Sequence, residues 1–144
     1  MDASYEIRVG YMNELAGLSY KGMPVPSYDE VVSDDVSPKF YIVISGQSSS
    51  DESLKCGFSS SNLITLNIIA TYNLGSGTKK DVEMIAKEVL NRVHPAPGKT
   101  SIVAPTLNIW STTLITNRTH DEELSNERKI IKMLTFQHKV NHIS

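Results

Sequence analysis

One stretch of the chain, residues 63–93, changes its hydrophobic period halfway along, and this change limits the folds open to the sequence. From Leu63 to Tyr72 every even-numbered residue is apolar and most odd-numbered ones are polar, as in a strand with one buried face. After a loop with two glycines, the apolar residues recur with helical spacing, at Val82, Ile85, Ala86, Val89, Leu90 and Val93. The stretch therefore predicts a strand followed by a helix over 78–93, with Thr78 as N-cap and Asp81 in a capping box.

The remaining chain adds one more helix and three more strands. Ile7, Tyr11, Leu15 and Leu18 form one apolar stripe, which predicts a helix over residues 4–18. Strands are predicted over residues 39–45, 107–116 and 129–140, the second with Trp110, Thr112 and Leu114 on one face. The polar residues 117–128 are expected to connect the last two strands. This order predicts an α+β fold in which two helices cover one face of a mostly antiparallel four-stranded sheet.

Residues 46–62 are the least typical part of the sequence. Seven of these seventeen residues are serine, so the segment can bury little apolar surface and is expected to be a long mobile loop. Because it joins two predicted strands, it is interpreted as an extended hairpin arm. The residues of this arm that we expect to contact a partner are Gln47, Ser50, Asp51, Leu54, Lys55 and Phe58.

Composition narrows the class of protein further. A chain of 144 residues is expected to form a single domain. The formal net charge of −2 provides no basic surplus for non-specific binding to nucleic acid. The single cysteine, Cys56, excludes an internal disulfide. The N-terminal residues lack the apolar core of a signal peptide, and no apolar run has the length of a membrane span.

The titratable residues form no recognisable metal site. His138 and His142 are four residues apart, but on a strand this spacing separates them by roughly 13 Å, and no third ligand is close in sequence. The acidic pairs at 34–35, 51–52 and 122–123 all fall in predicted loops beside polar residues, which do not supply the apolar pocket that a carboxylate needs for acid–base catalysis. We therefore predict no metal ligands and no catalytic carboxylates.

Neither the nucleophilic residues nor the glycine-containing loop matches a catalytic or nucleotide-binding motif. Cys56 has no histidine signature around it, and no serine lies in a G-x-S-x-G motif. The Gly75-Ser76-Gly77 loop matches neither the dinucleotide fingerprint nor the Walker pattern. The sequence thus predicts a protein that is not an enzyme and has no cofactor. Two other classes stay open, a small enzyme of unrecognised type and a nucleic-acid-binding α+β module using the basic pairs Lys79-Lys80 and Arg128-Lys129.

The order of these elements resembles that of the tail-terminator and tail-completion proteins of tailed bacteriophages. The resemblance covers nearly the whole chain: an N-terminal helix, the extended Pro24-Val25-Pro26 segment, the strand 38–45, the polar arm, and a strand ending Ile68-Ile69-Ala70-Thr71-Tyr72 that leads into the helix. In this family the strand usually ends in a D-x-W/Y pattern; here Tyr72 is present without the preceding Asp.

The resemblance implies a virion structural protein with no catalytic residues. Such a protein would assemble into a homo-oligomeric ring, hexameric or dodecameric, at the junction of phage head and tail. Its partners would be other virion proteins, namely the portal, a connector or the tail tube, and the ring would enclose DNA without sequence-specific contacts. Rings require head-to-tail interfaces that close, which exposed strand edges and long arms can supply.

Overall fold

The computed structural model describes residues 3–29, 38–54 and 57–142. In chain order the elements are α1 (Ser4–Leu15), β1 (Ser19–Tyr20), β2 (Met23–Pro24), β3 (Ser27–Tyr28), β4 (Phe40–Leu54), β5 (Gly57–Asn73), α2 (Lys79–Val93), β6 (Leu107–Glu123) and β7 (Glu127–His142). The α+β class and the two helices are confirmed. Helix α1 is shorter than predicted because the chain turns at Ala16 and passes through Gly17 with a φ of 76°.

The main sheet has five strands in the order β3-β4-β5-β7-β6, and β1 and β2 form a separate two-stranded sheet. All neighbours in the main sheet are antiparallel except β3, which runs parallel to β4. The predicted count of four strands is therefore one too low. A two-residue strand such as β3 is too short to show a hydrophobic period, so sequence pattern could not reveal it.

The core lies between the two helices and one face of the sheet. The even-numbered residues of β5 from Ile64 to Ala70 are buried, and so are Val82, Ile85 and Val89 of α2, as the two periods predicted. Helix α2 packs on β5 and β7, while α1 packs on α2 and β4. Both helices thus contribute to one hydrophobic core on the same side of the sheet.

The prediction of a mobile loop over residues 46–62 is wrong. Strand β4 continues to Leu54 and β5 begins at Gly57, with register pairs from Gln47 and Ile64 out to Leu54 and Gly57. On its other side, β5 pairs with β7 from Ser59 onward. Backbone hydrogen bonds need no apolar side chains, so a serine-rich segment can extend a sheet that its neighbours already define. The expected hairpin arm exists, but it is a β-ladder.

The expected connection over residues 117–128 is also strand. Strand β6 runs on to Glu123 and β7 begins at Glu127, so the turn occupies only residues 124–126. The misreading has a physical cause, because this half of β6 is an outer strand that lies mostly exposed. Such a strand needs no apolar residues and therefore reads as a loop.

Helix α1 needs a glycine where it meets the segment before β6. A Cβ atom on Gly10 would lie 2.6 Å from Ile102 Cγ2 and 3.0 Å from the Val103 carbonyl oxygen. Overpacking of this kind costs about 1–3 kcal/mol, which outweighs the gain of about 1 kcal/mol in helix propensity. We therefore expect Gly10→Ala to lower the free energy of unfolding by roughly 1 kcal/mol, measured by urea denaturation. Gly46→Ala is the matched control, because its Cβ would meet nothing within 4 Å. A Gly10→Ala variant more stable than the parent protein would contradict this packing.

Candidate assembly surface

The sheet has two long strand edges whose backbone groups face outward in the described structure. Strand β6 pairs only with β7 along its seventeen residues. On the opposite side, β3 pairs with β4 only at Ile42 and Val43, so β4 has no outer neighbour among the described residues from Ile44 to Leu54. Unpaired N–H and C=O groups on such edges are ready partners for another strand.

The edge strand β6 has two chemically different halves. Residues 107–117 contain no charged side chain, whereas residues 118–123 contain one arginine, one histidine, one aspartate and two glutamates. The ladder with β7 is interrupted in the uncharged half, between Ile109 and Ser111 and again between Leu114 and Thr116. The two side chains at these bulges, Trp110 and Ile115, are each 48% exposed. The uncharged half therefore presents both backbone and apolar side chains to the outside.

Because of these bulges, the β6 residues predicted to share one face do not all share it. The alternation placed Trp110, Thr112 and Leu114 together, but Thr112 is 1% exposed and faces the core while Trp110 points outward. Each bulge adds one residue and reverses the side-chain alternation beyond it. Both bulges lie at apolar doublets, Ile109-Trp110 and Leu114-Ile115, and such doublets in an alternating strand are the one signal that could have indicated them.

The residues predicted to make partner contacts from the arm are placed as follows. The Gln47 side chain donates to the Ser4 carbonyl oxygen at 2.8 Å and accepts from the Arg8 guanidinium at 3.4 Å, so it ties β4 to α1. Ser50 and Asp51 are exposed on the outer edge of β4. Leu54 and Phe58 lie on the two facing strands of the hairpin tip, and Lys55 lies outside the described residues.

The sheet face opposite the helices mixes apolar and polar side chains, with Thr65, Asn67 and Thr135 in its central rows. It presents odd-numbered side chains of the inner strands, and Val43, Leu63, Ile69, Ile131 and Met133 among them are half-buried. Both helices pack on the other face, so neither of them covers this surface.

A buried hydrogen-bonded chain connects α1 to the edge strand. His138 of β7 is fully buried; its Nε2 lies 2.5 Å from the Tyr11 hydroxyl, and its Nδ1 lies 2.8 Å from Thr112 Oγ1. A neutral imidazole donates from one nitrogen and accepts at the other, so both hydroxyls can be satisfied without a charge. Burial, and to a smaller extent the nearby His94, lower the pKa of His138 to about 4. At the level of sequence this histidine is considered only as a metal ligand, and its burial is not predicted.

A second polar cluster holds the β1–β2 hairpin against α2. The carboxylate of Asp81 accepts from Tyr72 at 2.6 Å, from Tyr20 at 2.8 Å and from the Lys21 ammonium at 3.1 Å. Burial alone would raise the pKa of Asp81, but these three donors outweigh it and lower the pKa below its ordinary value. Thr78 is the N-cap of α2 as predicted, accepting from the Lys80 amide at 3.2 Å. In the described structure the Asp81 carboxylate thus binds tertiary partners, and the predicted capping box with Thr78 is not formed.

An open cleft of about 890 Å³ lies at the end of the sheet away from the β4–β5 hairpin, beside the β6–β7 turn. Its charged groups have partners on the protein: the Lys129 ammonium lies 3.9 Å from the Glu127 carboxylate, and the Lys39 ammonium lies 5.3 Å from the centre of the Tyr72 ring. No group of three or more His, Cys, Asp or Glu in the described ranges could hold a metal ion. No helix within those ranges is long and apolar enough to cross a membrane.

His138 makes stability depend on pH. The unfolded chain takes up a proton on this histidine near pH 6.5, whereas the folded protein does so only near pH 4. Between these values the unfolded state binds more protons than the folded state. The contribution of neutral His138 to the free energy of unfolding is therefore fully present above pH 6.5 and is lost as the pH decreases toward 4. We expect this group to account for a loss of about 3 kcal/mol over that window.

The matched variant for this measurement is His138→Gln, which keeps a polar side chain but does not titrate. The difference in unfolding free energy between the two proteins, measured by urea denaturation, should shrink as the pH falls from 7 to 4. A constant difference across this range would show that His138 titrates normally in the folded state.

Comparison with known proteins reveals similarity at the level of the fold. No family model matches the sequence, and no curated protein matches it either. Among solved structures, a chain of the virion of a native gene transfer agent particle superposes with a TM-score of 0.70 at 14% sequence identity. The alignment covers 96% of this chain and 97% of that one. This chain therefore has, over nearly its whole length, the fold of a chain found in that virion particle.

Proposed function

We propose that this chain is a structural protein of a phage-like virion, located in the particle, where it forms a homo-oligomeric ring at the head–tail junction. The observation that carries the proposal is the full-length likeness to a chain of the gene transfer agent virion. A likeness that spans both chains nearly end to end is the expected result if the whole domain, and not one motif, is the functional unit. The element order that resembles tail-terminator and tail-completion proteins supports the same assignment.

The surface of the protein suits a ring. A ring needs two different surfaces on each subunit, one that binds the preceding copy and one that binds the next. The sheet offers two such surfaces: β6 at one edge, and at the other edge the part of β4 that the two-residue strand β3 does not cover. The number of copies that we propose is six or twelve, and the partners are the portal, a connector or the tail tube. DNA passes through the ring without specific contacts, in keeping with the net charge of −2.

The β4–β5 hairpin is the proposed contact arm to neighbouring proteins. Its outermost residues extend past β7, whose first register partner on β5 is Ser59. Ser50 and Asp51 are exposed near this tip, and Leu54 and Phe58 lie on its two strands. Lys55, which lies outside the described residues, belongs to the proposed contact set by its sequence position alone. Gln47 has a different role in this proposal, since it positions the base of the arm by its hydrogen bond to the Ser4 carbonyl oxygen.

The ring is tested by light scattering of the purified protein, with negative-stain images of the same sample. The expected result is a mass of six or twelve subunits and annular particles. A mass of one subunit at every concentration, with or without the portal or tail-tube protein, would contradict the proposed ring.

The arm is tested by replacing residues 53–58 with Asn-Gly. Glu52 and Ser59 face each other across the ladder, so a two-residue type I′ turn can close the shortened hairpin. Residues 59–62, which are buried between β4 and β7, stay in place. We expect a protein with the circular dichroism spectrum of the parent that no longer assembles, because the tip contacts are lost.

The matched control changes the hairpin at the other end of the sheet. There Ser125-Asn126 is replaced by Asn-Gly, a two-residue turn between Leu124 and Glu127, whose backbone groups are bonded at 2.8 Å. This control should assemble like the parent protein. If the tip variant also assembles, the arm has no part in ring formation.

A further inference from the structure

The directions of the strands make the two sheet edges complementary. Strands β4, β5, β7 and β6 are neighbours in that order, and each neighbouring pair is antiparallel. Three reversals place β6 antiparallel to β4. A second copy set beside the first in the same orientation therefore brings its β4 antiparallel to β6 of the first copy. This arrangement uses a different edge on each copy, which is the head-to-tail interface that a ring requires.

The uncovered parts of the two edges also lie at the same height in the sheet. Val43 of β4 lies in one row with Asn67, Met133 and Arg118, as the three register sets show. At this row β4 is covered by β3, and from this row onward β6 carries charged residues. On the other side of the row, β3 no longer pairs with β4, and residues 107–117 of β6 contain no charged side chain. In the described structure both edges are thus protected at one end of the sheet and bare, that is, without a covering strand, at the other.

The bare segments match in length, and they match in lacking charge except for Asp51 and Glu52 near the outer end of β4. Residues 44–54 of β4 and 107–117 of β6 have eleven positions each, and residues 44–50 and 107–117 contain no charged side chain. Proteins that stay monomeric usually protect such edges with charges, prolines or a covering segment. Here β3 covers β4 only at Ile42 and Val43, and the charges of β6 begin at Arg118, whereas residues 44–50 and 107–117 have neither form of protection in the described structure. Exposed Trp110 and Ile115 lie within the bare segment of β6.

We propose that residues 107–117 of one copy pair antiparallel with residues 44–54 of the next copy, so that one continuous β-sheet runs around the ring. The partner is a second copy of this chain. This inference rests on the proposed function, since it assumes that copies assemble head to tail. It specifies which backbone surfaces meet and excludes a two-fold contact of β6 with β6.

Paired cysteines test this contact in a Cys56→Ser background. Thr113 and Ser48 are exposed, and they lie in one row through Gln137 and Leu63. Oxidation of a Ser48→Cys, Thr113→Cys protein should give a ladder of covalent multimers on a non-reducing gel, up to the ring size. A second pair, Ser50→Cys with Thr113→Cys, tests a shift of two residues along β4. Either single variant should stay uncrosslinked, because a head-to-tail contact does not bring two equivalent residues together.

The outcomes separate this inference from the proposed function. Ladders from a double variant, with no crosslinks from either single variant, support the edge pairing. Dimers from Thr113→Cys alone would overturn it in favour of a two-fold contact. Annular particles in the images without crosslinking of either pair would overturn the pairing and leave the ring intact. If no oligomer forms in any sample, with or without the portal or tail-tube protein, both the ring and the pairing are wrong.

A charge placed in the bare segment provides an independent measurement. Ile115→Lys puts a cation at an exposed position of the uncharged half, and His120→Lys is the control in the half that is already charged. We expect Ile115→Lys to raise the subunit concentration needed for half-assembly at least about tenfold, because the lysine must be desolvated at the contact. His120→Lys should change it little. Equal assembly of both variants would contradict the proposed contact.

Discussion

The structure depends on the hydrogen bonding of β5 from both sides. Its residues 59–73 pair with β7, and nearly all of its length pairs with β4. A strand in this position satisfies its backbone groups whatever its side chains are, so it can carry an apolar sequence at one end and a serine-rich one at the other. The apolar end supports α2 and forms the core. The serine-rich end carries the sheet outward as an arm.

Two buried polar clusters then fix the outer layers to this centre. Tyr11, His138 and Thr112 connect α1 through β7 to the edge strand, while Asp81 gathers Tyr20, Tyr72 and Lys21 at the start of α2. In each cluster the polar atoms are satisfied by side chains from distant parts of the sequence. Such clusters favour one arrangement of the layers, because any other arrangement would leave a buried polar group without a partner.

The edges of the sheet differ along their length in how well they are protected against pairing with another strand. Where β3 covers β4 and where β6 carries charges, addition of another strand is discouraged. In the described structure residues 44–50 and 107–117 have neither protection, and the bulges of β6 turn two apolar side chains outward. A sheet whose two different edges are both bare at the same end allows the head-to-tail contacts between copies that a closed ring requires.

The sequence by itself determined the fold class, the strand–helix unit over residues 63–93 and the core face of both, because hydrophobic periodicity reports directly which side of an element is buried. It also indicated that residues 46–62 form a hairpin. Only the tertiary structure decided that this hairpin and residues 117–123 are strand, that β3 adds a fifth strand, and that His138 is buried. Strand pairing is a contact between distant residues, and its backbone hydrogen bonds impose no pattern on exposed side chains. The bare and protected halves of the edges follow from strand register, which no local stretch of sequence specifies.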